Sequence, residues 1–228
     1  MSKTISRIGI ALLAAGVGFG FQTSAVHAEG AVPTPDAVIK ANEAPGLKTA
    51  VFAGGCFWGV EAVFSHIKGV TSAISGFDGG DASTAHYERV SDGDTGHAES
   101  VKVTYDPKVV RYDELLRVFF AVATDPTELN RQGPDTGTQY RNALFPQNAE
   151  QNRVAAAYLA QLKVLNPWRH PIVTRIESGR PFYAAEGYHQ DFAAHNPDHP
   201  YIARWDLPKV AALKRMFPQY WKADFTRG

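Results

Sequence analysis

The sequence predicts an α+β fold, a ferredoxin-like α/β plait. This is a two-layer sandwich in which a mixed sheet carries its helices on one face and long coil segments join the elements. Short apolar segments of strand type alternate with helical segments in the order strand–helix–strand, then strand–helix. Two long polar segments rich in glycine interrupt this pattern without a period of their own. The split βαβ order of the periodic segments favours the plait.

The first three elements carry the clearest signal. Ala50–Ala53 is a short apolar run typical of a strand, and Gly54-Gly55 permit a tight turn after it. The apolar spacing then becomes helical, which predicts a helix over Phe57–His66. Val70–Phe77 is again of strand type and predicts the return strand.

The second unit consists of a strand and a helix. Ala98–Tyr105 alternates between apolar and polar residues after Glu99, as expected of a strand with one buried face. Arg111–Val122 has helical apolar spacing and carries Asp113 and Glu114 in its first turn, where the helix dipole favours acids.

The remaining elements are shorter or less regular, apart from one long helix. They are a strand at Asn142–Phe145, a helix at Asn148–Leu165, a strand at Ile172–Ile176, a short helix at Glu186–Ala194 and a helical segment at Leu207–Phe217. Two polar segments, Asp78–His97 and Asp125–Thr138, are predicted as loops. Structureless loops of this length are uncommon in compact domains and are usually functional.

Residues 1–28 are predicted to be a cleaved signal peptide. Lys3 and Arg7 precede the apolar run Ile8–Phe21, and Val26-His27-Ala28 fits the small-x-small cleavage pattern. The run is short for the roughly 20 residues of a membrane-spanning helix. We therefore expect cleavage after Ala28 and export to a bacterial periplasm. The mature protein would then have no membrane span. A signal retained as a membrane anchor is the alternative.

Residues 29–47 are rich in alanine and proline and show no sustained period. They are interpreted as a linker or as a strap on the domain surface. Residues 48–228 are long enough for one domain with a proper core, and we expect this domain to be a monomer.

Charge and cysteine content restrict the function. The 228-residue chain has a formal net charge of zero, and loss of Lys3 and Arg7 with the signal peptide leaves a slightly acidic protein. This balance argues against nucleic acid or an anionic membrane as a partner. The chain has one cysteine, which excludes an intramolecular disulfide and argues against a cysteine-based metal site. An unpaired thiol in an exported protein is intermolecular or reactive.

That cysteine, Cys56, follows the Gly54-Gly55 turn at the predicted start of a helix. Free backbone N–H groups and the helix dipole favour negative charge there, so we expect the position to lower the thiol pKa and to make Cys56 a nucleophile. Phe57 and Trp58 place two large aromatics in the same turn. The alternative is a buried structural cysteine, the commoner fate of a lone one.

Four other polar residues in or beside the loops are candidates. Glu99 begins an otherwise apolar strand, so partial burial would raise its pKa and suit it to general acid catalysis. Tyr87 and Tyr140 lie in loops where core packing does not explain a phenol, and Asp135 lies five residues before Tyr140. Taken singly, each also has an ordinary interpretation. Glu99 would be a solvated acid, each tyrosine a surface aromatic and Asp135 a turn residue.

A metal site is not expected. His195 and His199 have a metal-like spacing, but Asn196-Pro197 between them breaks any helix and no third ligand is apparent.

Together these segments resemble the methionine sulfoxide reductase A family in order and separation. They are Gly55-Cys56-Phe57-Trp58-Gly59, His86-Tyr87-Glu88-Arg89-Val90, Thr95-Gly96-His97-Ala98-Glu99, Gly137-Thr138-Gln139-Tyr140-Arg141 and Tyr188-His189-Gln190-Asp191-Phe192. The resemblance covers roughly residues 48–202 and agrees with the α/β plait.

The resemblance implies a reaction and a nucleophile. In that family a cysteine attacks the sulfoxide sulfur, methionine leaves, and a sulfenic acid remains on the cysteine. Cys56 takes this role here, with Glu99 as the acid that protonates the departing oxygen. The S epimer at sulfur is the substrate, free or in oxidised proteins and peptides.

The resemblance also implies the surrounding groups. Phe57 and Trp58 form the apolar wall that holds the substrate methyl group, which suits a polarizable group packed on aromatics. Tyr87 and Tyr140 donate hydrogen bonds to the sulfoxide oxygen, and Asp135 supports the polar side of the site.

The sequence departs from many members of that family because it has no second cysteine. Asn196–Ile202 contains no resolving cysteine, and Ser91 stands where some relatives have cysteine. The sulfenic acid must then be reduced by an external thiol. With no bound cofactor expected, we expect a thioredoxin-like or glutaredoxin-like protein, or a small thiol, as reductant.

Two other classes of function use the same residues. A thiol peroxidase or cysteine hydrolase would also need an activated Cys56, and the hydrolase would need a histidine within reach of the sulfur. A non-enzymatic binding module would use the aromatic pocket for methionine-like side chains and leave Cys56 inert. Neither explains why Cys56, Glu99 and the two tyrosines occur together.

Overall fold

A computed structural model describes residues 31–177 and 180–228. The predicted signal peptide, residues 1–28, lies outside the described residues. The strands are β1 Lys48–Gly54, β2 Val70–Asp78, β3 Ala98–Tyr105, β4 Arg131–Gln132, β5 Asp135–Thr136, β6 Asn142–Phe145, β7 Arg175–Ile176 and β8 Tyr183–Ala184. The α-helices are α1 Phe57–Ser65, α2 Tyr87–Ser91, α3 Tyr112–Val118, α4 Ala149–Leu165, α5 Phe192–His195 and α6 Leu207–Met216.

The main sheet has the strand order β7-β6-β1-β3-β2-β8. Its four central strands pair antiparallel throughout, and β3 lies between β1 and β2, the two strands that α1 connects. This is the split βαβ arrangement. β7 pairs parallel with β6, so the sheet is mixed, as predicted.

The helices cover one face of the sheet, also as predicted. One large core cluster joins the sheet residues Phe52, Val101 and Val103 to buried residues of α1, α3, α4 and α6. Within it the Phe52 ring lies 4.7 Å from the Phe64 ring of α1. The opposite face carries a small cluster in which Phe182 packs on Val51 and its neighbours.

Residues 31–47 form a strap across α3 and α4. The Ala41 N–H donates to Asp113 Oδ1 (2.9 Å), and the Val38 N–H donates to Gln161 Oε1 (2.9 Å). Ala37 and Ala41 are buried against the helices. These residues therefore belong to the packed body of the protein.

The predicted helix Glu186–Ala194 is wrong. A 3₁₀ turn, Gly187–His189, is followed by extended backbone at Gln190 and a left-handed residue at Asp191 (φ 55°) before the single turn of α5. The cause is Gln190, whose side chain bonds both the N–H and the carbonyl of Ser75 on β2 (2.9 Å each). Those contacts hold Gln190 against the sheet, where a continuous helix would not place it.

Both predicted loops contain short elements. Within Asp78–His97, a 3₁₀ turn Ala82–Thr84 precedes α2, which buries only Val90 and so shows no helical period in the sequence. Within Asp125–Thr138, β4 and β5 form a hairpin.

Two further predicted elements have different bounds, whereas the helix predicted at Leu207–Phe217 is present as α6, Leu207–Met216. The helix predicted at Arg111–Val122 is α3 followed by a π turn, Phe119–Ala123. Only the last two residues of the predicted strand Ile172–Ile176 pair with a neighbour, as β7. Helix α6 follows a second π turn, Ile202–Asp206. None of the helices of residues 31–177 and 180–228 has both the length and the hydrophobicity to cross a membrane.

Candidate active site

The turn between β1 and α1 places the cysteine. Gly55 has a φ of 92°, and a Cβ there would lie 2.4 Å from Cβ of Gln132. Both the conformation and the space therefore require glycine. Gly54 is the last residue of β1, and a Cβ there would lie 2.8 Å from the Phe119 ring. Cys56 follows as the N-cap of α1 and is 8% exposed.

Glu99 is hydrogen-bonded to the first residue of α1, directly after this turn. It is on β3, is 3% exposed, and its Oε2 accepts the N–H of Phe57 at 3.0 Å. Burial raises the pKa of Glu99 to about 8, with smaller contributions from the carboxyls of Asp135 and Asp206 and an opposing one from the Phe57 N–H. The expected buried acid is confirmed. With its pKa at about 8, the carboxyl is mainly protonated at neutral pH.

The expectation that the helix start lowers the thiol pKa is wrong. Burial raises the pKa of Cys56 well above its ordinary value, and the carboxyls of Glu99, Asp206 and Asp135 raise it further. The Trp58 N–H bonds the sulfur and acts in the opposite direction, but it does not outweigh them. The resting site therefore contains a neutral thiol beside a neutral acid.

Phe57 and Trp58, proposed as the aromatic wall, directly follow Cys56 at the start of α1. Phe57 is buried, and its ring centroid lies 6.5 Å from that of Trp58 and 6.4 Å from that of Tyr87. The Phe192 ring stacks on Trp58 at 3.9 Å, which fixes the plane of the indole.

His189 is a site residue whose role the sequence did not reveal. Its ring lies 4.2 Å from Tyr87 and 5.1 Å from Phe57, and its Nδ1 is 3.2 Å from Trp58 Nε1. An indole N–H can only donate, so His189 Nδ1 accepts and the proton of the neutral ring is on Nε2. Burial also lowers the pKa of His189. This ring supports the aromatic wall.

Tyr140 and Asp135 lie on the polar side. Tyr140 ends the 3₁₀ turn Thr138–Tyr140, and burial together with the carboxyls of Glu99 and Asp135 raises the pKa of its phenol. The phenol therefore remains a hydrogen-bond donor. Asp135 accepts a hydrogen bond from the hydroxyl of Tyr201, a further residue that the sequence did not single out.

Asp206 brings the C-terminal segment to the site. It is fully buried, its pKa is raised to about 6 chiefly by burial, and Lys209 Nζ lies 3.6 Å from its Oδ1. A Cβ on Gly59 of α1 would lie 2.1 Å from the same oxygen. The second glycine of the Cys56 motif is therefore needed for this close contact. Nothing in the sequence around Asp206 indicated it.

The structure brings all seven chemically active candidates to one region around the start of α1. A thiol, a neutral acid, two phenols and an aromatic wall can attack a soft, polar centre, protonate an oxygen that leaves it, and hold an apolar group beside it. Among residues 31–177 and 180–228, no group of three His, Cys, Asp or Glu side chains is placed to hold a metal ion.

Comparison with known proteins agrees with this chemistry. The model of the family described as "Peptide methionine sulfoxide reductase" matches residues 48–221. The chain is 57% identical over 175 residues to "Peptide methionine sulfoxide reductase MsrA 2" of Mesorhizobium japonicum, covering 77% of this chain and 90% of that protein. It is 47% identical over 194 residues to the protein of the same name from Synechocystis, covering 83% and 91%.

Solved structures give the same relation. Mxr1 from Saccharomyces cerevisiae in its reduced form superposes with a TM-score of 0.61 at 36% identity, covering 71% of this chain and 92% of that chain. Methionine sulfoxide reductase A of Corynebacterium diphtheriae has a TM-score of 0.59 at 31% identity, covering 75% and 89%.

Proposed function

The chain belongs to the peptide methionine sulfoxide reductase A family and is a peptide-methionine (S)-S-oxide reductase, and we propose that it works by a one-cysteine route through Cys56. Its reaction reduces methionine sulfoxide to methionine, and the family depends on thiols for the electrons.

In the first half-reaction Cys56 sulfur attacks the sulfoxide sulfur. Glu99 gives its proton to the sulfoxide oxygen, and Tyr87 and Tyr140 donate hydrogen bonds to it. The S–O bond of the substrate breaks, the oxygen becomes bonded to Cys56 sulfur as a sulfenic acid, and methionine leaves with the two electrons that Cys56 loses. The Glu99 carboxylate takes up the thiol proton, so the site gains no net charge.

Phe57 and Trp58 hold the substrate methyl group. Apolar contact with an aromatic ring favours the polarizable methyl–sulfur end over a charged or hydrated group. His189 keeps the indole in place through its Nδ1. This wall leaves the oxygen to face Glu99 and the phenols, which selects one epimer.

The second half-reaction regenerates the thiol. Cys56 is the one cysteine in the sequence, so an external thiol attacks the sulfenic acid, forms a mixed disulfide and releases water. A second thiol group then releases Cys56. We propose a thioredoxin-like or glutaredoxin-like protein or a small thiol as donor, and repair of exported, periplasmic proteins under oxidative stress as the biological role.

The observation that carries this proposal is the hydrogen bond from the Phe57 N–H to Glu99 Oε2 (3.0 Å), which places a buried, protonated carboxyl directly beside the cysteine. Neither a cysteine hydrolase nor a binding module requires an acid of this kind at the nucleophile. A hydrolase would use a histidine base, and a binding module would need no titrating group.

A single turnover without reductant tests the proposal. Resolved S and R epimers of a blocked methionine sulfoxide are mixed with the protein, and methionine and remaining thiol are counted. We expect one methionine per protein from the S epimer, with Cys56 converted to a dimedone-reactive sulfenic acid. Cys56→Ser is the control that should give none. Methionine from neither epimer, with the thiol still titrating, would refute the proposed route.

A further inference from the structure

A cavity of about 380 Å³ opens beside Cys56, between the β4–β5 hairpin and the C-terminal helical segment. Of the nine residues proposed for the site from the sequence, all of which the structure describes, Cys56 is the one that lines it. The other lining residues are Asp125, Glu128, Arg131, Gln132, Gly133, Pro134, Tyr201, Arg204, Trp205, Pro208 and Lys209. Cys56 therefore faces this cavity, and Tyr201, which bonds Asp135 of the candidate site, lies in its wall.

The acids that line this cavity already have partners. Glu128 Oε1 lies 3.3 Å from Arg131 Nε, and Glu128 Oε2 accepts the N–H of Gly133 at 2.7 Å. Asp125 Oδ1 accepts the N–H (2.9 Å) and the hydroxyl (2.6 Å) of Thr127. Glu128 is thus paired with a cation of its own loop, and the carboxyl of Asp125 is bonded to neutral donors of that loop.

Two of the three cations are also paired. Arg131 contacts Glu128, and Lys209 Nζ faces the buried Asp206 at 3.6 Å. Arg204 differs. Its guanidinium lies 5.3 Å from the Trp205 ring centroid, and it takes part in no salt bridge among the residues that the structure describes. An uncompensated guanidinium at the mouth of a cavity favours an anionic ligand.

We propose that this cavity binds the external reductant as a small thiol carrying an anionic group, a carboxylate or sulfonate, which Arg204 holds while the thiol sulfur reaches Cys56. This inference rests on the proposed one-cysteine route and names its electron donor. The volume lies within the roughly 300–1,000 Å³ typical of small-molecule sites. Cys56 is only 8% exposed, which favours a small donor that can enter the cavity over a protein surface.

The chemistry in the cavity balances. The thiolate attacks the sulfur of the Cys56 sulfenic acid, an S–S bond forms, and the S–O bond breaks. The oxygen leaves as water with the sulfenic acid's own proton and one more from the site or solvent. A second molecule of the same thiol attacks the sulfur of the first, and Cys56 leaves as thiolate and takes up a proton. The two thiols are oxidised to their disulfide, and the cysteine returns to its starting state.

The test starts from the sulfenic acid, formed by one equivalent of blocked (S)-methionine sulfoxide and confirmed by counting methionine. Three thiols of similar size are then added separately: 2-mercaptoethanesulfonate, 2-mercaptoethanol and cysteamine. Second-order rate constants are compared at equal thiolate concentration, because thiol pKa alone changes the rate. We expect the sulfonate to react about tenfold faster than the neutral thiol, as a charge-assisted hydrogen bond allows, and cysteamine to be the slowest.

Arg204→Ala should lower the rate constant of 2-mercaptoethanesulfonate to that of the neutral thiol. The rate constant of 2-mercaptoethanol should stay unchanged. Arg204 is exposed, so this change does not disturb the core. Lys214→Ala is the matched control: Lys214 is a cation on α6 that lies over the Trp221 ring and does not line the cavity. It should alter no rate constant.

The outcomes separate the two proposals. Absence of methionine in the first step overturns the one-cysteine route and this inference with it. A normal first step followed by equal rates for the three thiols, unchanged in Arg204→Ala, overturns only the small-thiol site. A third outcome would assign the donor role to a protein. In it, all three small thiols react slowly with the sulfenic acid, whereas a thioredoxin-fold protein reacts fast and its rate constant does not change in Arg204→Ala.

Discussion

Replacing Glu99 by glutamine removes the acid while keeping the geometry that holds it. The amide oxygen of the substituted side chain can still accept the Phe57 N–H that Glu99 Oε2 accepts at 3.0 Å. What is lost is the proton that the sulfoxide oxygen needs. General acids contribute about 10²–10⁴-fold to a rate, so we expect kcat/KM for the S epimer to fall by about that factor, with little change in the fold.

The pH dependence identifies the acid. Burial raises the pKa of Glu99 to about 8, so the wild-type rate should decline as pH rises through about 8, and Glu99→Gln should lack that decline. Stability changes in the same pH range. The folded pKa is above the ordinary value of 4.5, so the contribution to stability is full below about pH 4.5 and is lost as pH rises toward 8. At about 1.4 kcal/mol for each pKa unit, ionising this group costs the fold roughly 5 kcal/mol.

Glu61 provides the matched control for this experiment. It is fully buried on α1, its pKa is also raised to about 8 by burial, and its Oε1 accepts the N–H of Asp191 at 3.2 Å. Glu61→Gln and Glu99→Gln should therefore both gain stability relative to wild type between pH 5 and 8 in denaturant titrations. Only Glu99→Gln should lose activity. Equal loss of kcat/KM in both variants would refute the acid role and indicate a general effect of buried charge.

Two further changes test the supporting structure. Gly59→Ala should lower the free energy of unfolding in urea by about 1–3 kcal/mol, the usual cost of overpacking. The reason is that its Cβ would lie 2.1 Å from Asp206 Oδ1. Gly187→Ala is the control, because the space around Gly187 is open, and it should cost far less. His189→Phe keeps an aromatic ring against Tyr87 but removes the acceptor of the Trp58 N–H. KM for the sulfoxide should therefore rise about tenfold. One methionine per protein should still form in a single turnover. An unchanged KM would mean that the indole is held without His189.

The local pattern was sufficient for the first units of the fold. The switch from strand to helical spacing around Gly54-Gly55 placed β1, the turn and the start of α1, and the alternation after Glu99 placed that acid on the helix-covered face of β3. These features depend on residues close together in the chain. A sequence pattern records them directly.

The features that the pattern missed depend on contacts between distant segments. Gln190 leaves a helical path because it bonds Ser75, which is 115 residues away. Asp206 and Tyr201 reach the site only because the C-terminal segment packs on α1 and the hairpin loop. The thiol pKa was mispredicted for the same reason. The helix start is a local feature, whereas the burial that outweighs it comes from the whole fold.

The raised pKa values of Cys56 and Glu99 have one cause and suit one kind of reaction. Burial penalises every ion in this site, and Asp135 and Asp206 make a further negative charge more costly. A mechanism that began from a stable thiolate beside an ionised acid would meet both penalties. The proposed first half-reaction meets neither, because a proton leaves sulfur as another reaches the sulfoxide oxygen and the total charge does not change. A site built to disfavour charge therefore remains able to reduce a sulfoxide, while its resting thiol stays in the less nucleophilic form.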